Sequence, residues 1–500
     1  MMGAIDLETE SIASLGARMV SGELTARALT EHCLARIENL DSKVNAIIEI
    51  NPNALDIADQ RDGERRDGRV RGPLHGLPIL VKDNLDTADR MMTTAGSLAL
   101  AGSIAIEDAF VVTRLRVAGA VLLAKTNLSE WANFRSTRSS SGWSSRGGQT
   151  RNPYALDRTP GGSSSGSAVA VAAGFCVGAI GTETDGSIVS PSAMNSIVGI
   201  KPTVGLVSRA GIVPISHSQD TAGPMARSVA DAAILLRVIA GEDPADNVTK
   251  GASGRLPVDF GTNLDADALS GARIGVARNY CGFHQGVDRL LARSLAVMAD
   301  AGAEVIDDLK LTPKADIEDS ETIVMMTEFK AGLNRYLSER APKARIRSLA
   351  DAIAFNQQHQ ETVMPYFRQE RFEQSAEMGA LTGAAYLEAL ETSRRLARDE
   401  GIDRLLGEHD LDAIVAPTTC PPWLIDWVNG DNRSGGSACT AAVAGYPSIT
   451  VPAGYVFGLP VGLSFFSTAF KETELIQLAH AFENATKERR PPTFASQVDY

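Results

Sequence analysis

Residues 159–167 (TPGGSSSGS) pack three glycines and four serines into nine positions, directly before the small-residue run 168–173 (AVAVAA). Glycine permits backbone geometries that a Cβ forbids, and a helix start offers free N–H groups. A second hydroxyl-bearing loop, 181–187 (GTETDGS), follows the apolar stretch 175–180. Loop, helix, strand and loop in that order can bring both serine loops to one end of a sheet. A phosphate-binding loop needs G-x-x-x-x-G-K-[ST], and no lysine occurs between Lys125 and Lys201. Residues 162–166 (GSSSG) match the G-x-S-x-G elbow, which would make Ser164 a nucleophile. That elbow requires a preceding apolar strand, and 151–160 (RNPYALDRTP) is not one. Read alone, either loop is equally a glycine- and serine-rich turn.

The base for a serine nucleophile has to come from elsewhere. His75 and His217 sit in polar, turn-like contexts and His480 on a terminal helix, where a satisfied or surface ring is the ordinary reading. No H-E-x-x-H or S-x-x-K spacing occurs, so neither a metal centre nor a β-lactamase-type site is expected. Lys82 ends the apolar run 76–81 (GLPILV). Burial lowers a lysine pKa and frees it to act as a base. Equally, such a lysine can snorkel from a strand end.

Several elements must position these groups. Ile12, Leu15 and Met19, and the stretch 25–37, fall at helical spacing; residues 51–71 mix a short helix with a charged loop. Residues 110–118 predict a helix, and 120–124 (AVLLA) a second buried strand. Segments 273–277 and 304–306 bracket another helix, 316–405 is mostly helical, 411–416, 448–451 and 461–466 return to strands, and 473–490 is a helix. Helices alternating with short apolar strands predict an α/β fold, a central mixed twisted sheet covered on both faces. The long polar stretch 135–160 reads as a functional loop. Neither linker composition nor a 20–50-residue repeat is visible. A single domain over 1–500 is therefore expected, with N-terminal helices (1–60), a catalytic core (70–240) and a mostly helical insertion (310–410) that shapes the pocket.

Composition narrows the function classes. Lys and Arg total 48 against 61 Asp and Glu, a net charge of −13, the wrong sign for a duplex-binding surface. Hydrophobic residues at 44% and charged residues at 22% exclude a disordered chain or a coiled coil. Cys33, Cys176, Cys281, Cys420 and Cys439 are odd in number and form no C-x-x-C, which points to a reducing compartment. Residues 1–10 lack a signal pattern, and the longest apolar run, 168–181, is too short to span a bilayer. A cytoplasmic protein with neither membrane nor nucleic-acid partner, monomer or homodimer, is expected.

Taken together, these segments resemble the amidase signature family. The resemblance rests on 76–84 (GLPILVKDN), 124–130 (AKTNLSE), 150–153 (TRNP), 159–167, 181–191 (GTETDGSIVSP), 198–202 (VGIKP), 218–225 (SQDTAGPM), 412–418 (DAIVAPT) and 444–465. It runs from about residue 10 to 490 and is weakest in the helical middle. Within the family, 142–150 (GWSSRGGQT) and the GTETDGSIV form look like the bacterial peptide amidase branch.

The resemblance implies a Ser–cis-Ser–Lys triad: Ser187 as nucleophile, Ser163 as bridging serine after a cis Gly162–Ser163 bond, and Lys82 as base. It implies an oxyanion hole from the N–H groups of Thr184, Asp185, Gly186 and Ser187, a supporting Thr182, and no cofactor. The chain departs from the commonest pattern at Ser165, Glu183, Asp185 and Val189. Glu183 must then find a partner other than the usual arginine, and Asp185 is either a pocket wall or a turn carboxylate. The implied activity is hydrolysis of carboxamides, including peptide C-terminal amides and aryl or alkyl amides, with esters and carbamates as side substrates. Two alternatives are an inactive binding protein on the same scaffold and the A component of a glutamyl-tRNA amidotransferase.

Overall fold

The computed structural model describes residues 5–255, 261 and 263–498, so the first four residues of the N-terminal segment lie outside it. Its strands are β1 (Ile47–Ile50), β2 (Pro78–Lys82), β3 (Val121–Thr126), β4 (Trp143–Ser144), β5 (Gly148–Gln149), β6 (Gly178–Glu183), β7 (Val198–Lys201), β8 (Thr221–Ala226), β9 (Arg273–Ala277), β10 (Glu304–Leu309), β11 (Ala413–Pro417), β12 (Ser448–Val456) and β13 (Leu459–Phe466). Eleven of them form one sheet in the order β1-β3-β2-β6-β8-β7-β12-β13-β11-β9-β10, and β4 and β5 form a separate hairpin. Pairing is parallel for β3-β2-β6 and for β11-β9-β10. It is antiparallel through β6-β8-β7-β12-β13-β11. The sheet is mixed and the fold is α/β.

Alternation along β6 shows how both faces are covered. A Cβ at Gly178 would meet Leu235 of the helix Val229–Ile239 at 2.6 Å. A Cβ at Gly181, on the other face, would meet Ser164 Oγ at 2.8 Å, where the helix Ser165–Ala172 begins. Odd and even residues of a strand point opposite ways, so the two helices flank the sheet. Every residue of β2, β3 and β6 is buried, the apolar stretches and the polar residues at their C-terminal ends alike.

The helical readings at 110–118 and 473–490 correspond to Phe110–Val117 and Glu472–Thr486. The middle segment forms Lys314–Glu339, Leu349–Gln358, Gln360–Val363, Glu370–Glu377, Ala384–Ala397 and Asp403–His409. Its own buried cluster includes Phe329, Leu333 and Phe372. Two boundaries differ from the sequence reading. Residues 1–60 are not all helical: after the helix Ala26–Val44, Asn45 turns left-handed and β1 pairs antiparallel with β3. And β6 runs on through Gly181, Thr182 and Glu183, because their ladder with β8 (Gly181↔Gly223 to Glu183↔Thr221) continues to the strand end.

Candidate active site

Lys82 is the last residue of β2, with no solvent exposure. Its Nζ lies 2.8 Å from Ser163 Oγ, 2.8 Å from Thr182 Oγ1, 3.0 Å from Ser164 Oγ and 3.3 Å from Thr182 O. Hydroxyls and a carbonyl surround it, and among the described residues no carboxylate is within ion-pair distance. Burial therefore pulls its pKa down to about 7, with Glu183 and Asp220 opposing from farther off. A lysine so placed is substantially neutral at pH 7 and can take a proton.

Ser163 follows a cis peptide bond from Gly162. Gly162 itself is packed so closely that a Cβ would lie 2.4 Å from Ser129 Oγ. Ser164 is drawn in on the same side: its hydroxyl donates to Thr182 O at 2.9 Å and its N–H to Ser187 O at 3.1 Å. No strand precedes it across 151–160, so the elbow geometry is absent. Among the described residues no imidazole approaches this cluster: His75 Nε2 faces Arg61 O at 2.9 Å, His217 faces Glu328, and His480 faces Asn484.

Ser187 is joined to the cluster through its carbonyl, while its hydroxyl makes no hydrogen bond to a described residue and the residue is 8% exposed. Resting-state hydrogen bonds of catalytic groups are often long until substrate binds. The preceding loop turns at Gly186, whose φ of +78° suits glycine. The N–H groups of Asp185, Gly186 and Ser187 find no acceptor among the described residues and are free to bind an oxyanion.

Residues without a role in the sequence reading hold this loop. Asn84 Nδ2 donates to Thr182 Oγ1 at 2.9 Å, fixing the hydroxyl that faces Lys82. Thr184 Oγ1 donates to Asp220 Oδ1 at 2.5 Å, and Gln219 Nε2 donates to Thr184 O at 3.2 Å. The segment 218–225 signalled these two residues only as part of a motif. Glu183 receives the N–H of Ile188 at 2.7 Å and of Val189 at 3.0 Å, and so caps the helix Val189–Met194. That is the partner it takes in place of the arginine; burial raises its pKa and Lys201 opposes the rise.

Asp185 lines a cavity of about 450 Å³ beside the loop, shared with Ser190, Lys314, Arg433, Ala438 and Cys439. Asp185, Glu321 and Cys439 bring donor atoms within 4.8 Å of one another. Glu321 is pushed up to about 8 by burial and Asp185, and the Cys439 thiol is pushed well above its ordinary range, so both are neutral at pH 7. Trp143, Trp423 and Trp427 do not line this cavity. Trp143 packs edge-on to Phe367, and Trp427 stacks on Tyr366.

This topology places a buried lysine among serine hydroxyls, with no imidazole in contact among the described residues. The family model described as Amidase matches residues 28–476, and the chain belongs to the amidase family. It is 51% identical to the native peptide amidase of Stenotrophomonas maltophilia, covering 97% of this chain and 99% of that one with a TM-score of 0.91. It is 43% identical over 482 residues to a probable amidase of Arabidopsis thaliana, covering 94% of this chain and 89% of the relative. It is 37% identical over 501 residues to the A component of the glutamyl-tRNA(Gln) amidotransferase of Symbiobacterium thermophilum, covering 96% and 98%. Among the described residues no helix is long and apolar enough to cross a membrane.

Proposed function

We propose that the chain hydrolyses carboxamide C–N bonds, peptide C-terminal amides above all, through Ser187, Ser163 and Lys82. The observation that carries this is the fully buried Lys82 ammonium, 2.8 Å from Ser163 Oγ, with a pKa of about 7. Neutral Lys82 takes the Ser163 proton as Ser163 takes that of Ser187. Ser187 Oγ then attacks the carbonyl carbon. The N–H groups of Thr184, Asp185, Gly186 and Ser187 receive the oxyanion. The proton returns through Ser163 to the leaving nitrogen, which departs as neutral amine or ammonia. Without that proton the leaving group would be an amide anion, a very poor one. Water then enters, loses its proton along the same relay, and releases the acid from the Ser187 ester. Thr182 orients Lys82 by accepting from its Nζ.

The 51% likeness to a peptide amidase favours peptide amides as substrates over the transferase role, where the likeness is 37%. In this reading the chain works alone or as a homodimer in the cytoplasm, without cofactor or nucleic acid, and the insertion 310–410 shapes its pocket. A fluorophosphonate probe followed by peptide mapping tests the nucleophile: label on Ser187 supports it, and label on Ser164 overturns it. A panel of peptide amides, anilides, esters and carbamates, run on the purified chain, tests the substrate class. Ammonia transfer seen only beside partner proteins would replace this reading with the transferase one.

A further inference from the structure

The cavity beside the nucleophile loop carries an unusual charge set. A Cβ on Gly186 would lie 3.2 Å from Ala438 Cβ, and Ala438 lines the cavity, so its wall is the outer side of the loop that bears Ser187. Three charged side chains line it: Asp185, Lys314 and Arg433. Lys314 opens the helix Lys314–Glu339, and its ammonium forms no hydrogen bond or ion pair with a described residue. Nor does the exposed guanidinium of Arg433. Asp185 acts on Lys314 from beyond ion-pair distance and keeps it protonated, while Arg433 opposes. Glu318, one turn along the same helix, is the other carboxylate that acts on Lys314. Burial raises the pKa of Cys439, in the lining, and of Glu321 beside it, and so disfavours negative charge on both. Two cations and one anion therefore face the cavity, in a chain whose net charge is −13. A net excess of positive charge at a concave site favours a visiting anion.

We propose that this cavity is a specificity subsite that takes a carboxylate carried by the amide substrate, an aspartate or glutamate side chain of a peptide amide, on Lys314 and Arg433. The inference rests on the peptide-amide reading above and names the substrate class within it. Guanidinium forks match carboxylates in two parallel hydrogen bonds, and the lysine adds a point charge beside them.

The test is a set of short peptide amides with Glu, Gln or Lys placed in turn at each position. At one position, kcat/KM should favour Glu over the isosteric Gln by about five- to tenfold, the yield expected of half-exposed charge pairs, with Lys least favoured. Lys314→Met combined with Arg433→Met should bring the Glu/Gln ratio close to one, chiefly by lowering kcat/KM on the Glu peptides. Lys314→Glu should invert the order of Glu and Lys substrates. Salt at about 0.5 M should shrink the wild-type ratio by screening. Acetate added to the assay should inhibit the Gln peptides weakly if the site takes any free carboxylate, and the Glu preference must persist beside it. A wild-type ratio near one at every position, or a ratio that the double variant leaves intact, would overturn the subsite. Absence of Ser187-dependent turnover on every peptide amide would instead overturn the reading beneath it.

Discussion

Two lysines on neighbouring strands, both without solvent exposure, meet opposite surroundings. In the parallel β2–β3 register, Lys82 lies opposite Thr126 and Lys125 lies opposite Val81. The one-residue offset sends their side chains to opposite faces of the sheet. Lys82 enters a pocket of hydroxyls, where Thr126 and Ser167 are also bonded to each other at 2.7 Å. Lys125 donates to Leu85 O and, at 3.2 Å, to Thr93 Oγ1, and after burial itself the charges of Asp83 and Asp86 act on it most. Burial lowers the pKa of both, but on Lys125 four carboxylates push back. Asp83 follows Lys82 directly, yet it turns its carboxylate away to Thr94, Gly96 and Arg146. What separates the two lysines here is the carboxylate charge that acts on each from beyond contact, four groups on Lys125 against two on Lys82, and a two-residue strand period sends one to each set of neighbours.

The largest effect should come from truncating each lysine. Lys82→Ala should lower kcat/KM by about 10³-fold or more, since base and proton donor are lost together. Lys125→Met should leave turnover per folded site within about tenfold and instead lower the melting temperature, because Asp83 and Asp86 lose a buried counter-charge. Active-site titration with the fluorophosphonate probe, run beside thermal melts, separates the two outcomes. A Lys125 variant as dead as Lys82→Ala, yet fully folded, would erase the distinction.

Next comes the charge environment itself. With Lys82 near 7, the rate should climb as pH rises through about 7, as the ammonium gives up its proton. Ser164 Oγ lies 3.0 Å from the Lys82 Nζ, so Ser164→Asp places a carboxylate directly beside the ammonium. An opposite charge at that range raises a lysine pKa by about 1–3 units, so the rising limb should move alkaline and the rate at pH 7 should fall about 10- to 100-fold. A pH–rate profile reads the shift directly. A limb that stays near 7 would mean that some group other than Lys82 sets it.

A smaller effect is expected at the supports of the nucleophile loop. Gln219→Ala removes the amide that holds Thr184 O and Glu321 Oε1. The oxyanion donors would loosen while the ground-state contacts remain. We expect kcat to drop about three- to tenfold with KM nearly constant, the signature of an interaction made in the transition state. A change confined to KM would place Gln219 in substrate binding instead.

How far the molecule is legible from its residues follows the same division. Lys82 at the end of an apolar strand, and Ser163 and Ser187 in hydroxyl-rich loops, are local features, and so are the helices with strong periodicity. The four residues of β1 are too few to declare a period, and they follow a helix of 19 residues. The supports are harder still. Asn84 reaches Thr182 across 98 positions, and Gln219 reaches Glu321 across 102. Nothing within a short window distinguishes these from surface polar residues. Glu183 reads as a departure from a motif, and only the coordinates reveal its second use as the cap of the next helix. Lys314 and Arg433 face one cavity from helix and loop 119 positions apart, so their pairing exists only in the fold.

Glu321 inverts the lysine comparison and carries the mildest prediction. Like Lys82 it is buried, but its nearest influence besides burial is a like charge, Asp185, and its carboxyl is pushed up to about 8 from an ordinary 4.5. A carboxyl raised on folding holds its proton in the native state while the unfolded chain has lost it. The stability it confers is present below about 4.5 and drains away as pH rises toward about 8. Glu321→Gln keeps an oxygen to accept from Gln219 and has nothing to ionise. The variant should therefore resemble the wild type at pH 5 and melt higher than it at pH 9, by on the order of 2 °C. Melts at pH 5, 7 and 9 would reveal a gap that widens with pH. Parallel curves for the two proteins would show that Glu321 is already ionised beside Asp185, and the cavity would then carry an extra negative charge against the carboxylate subsite.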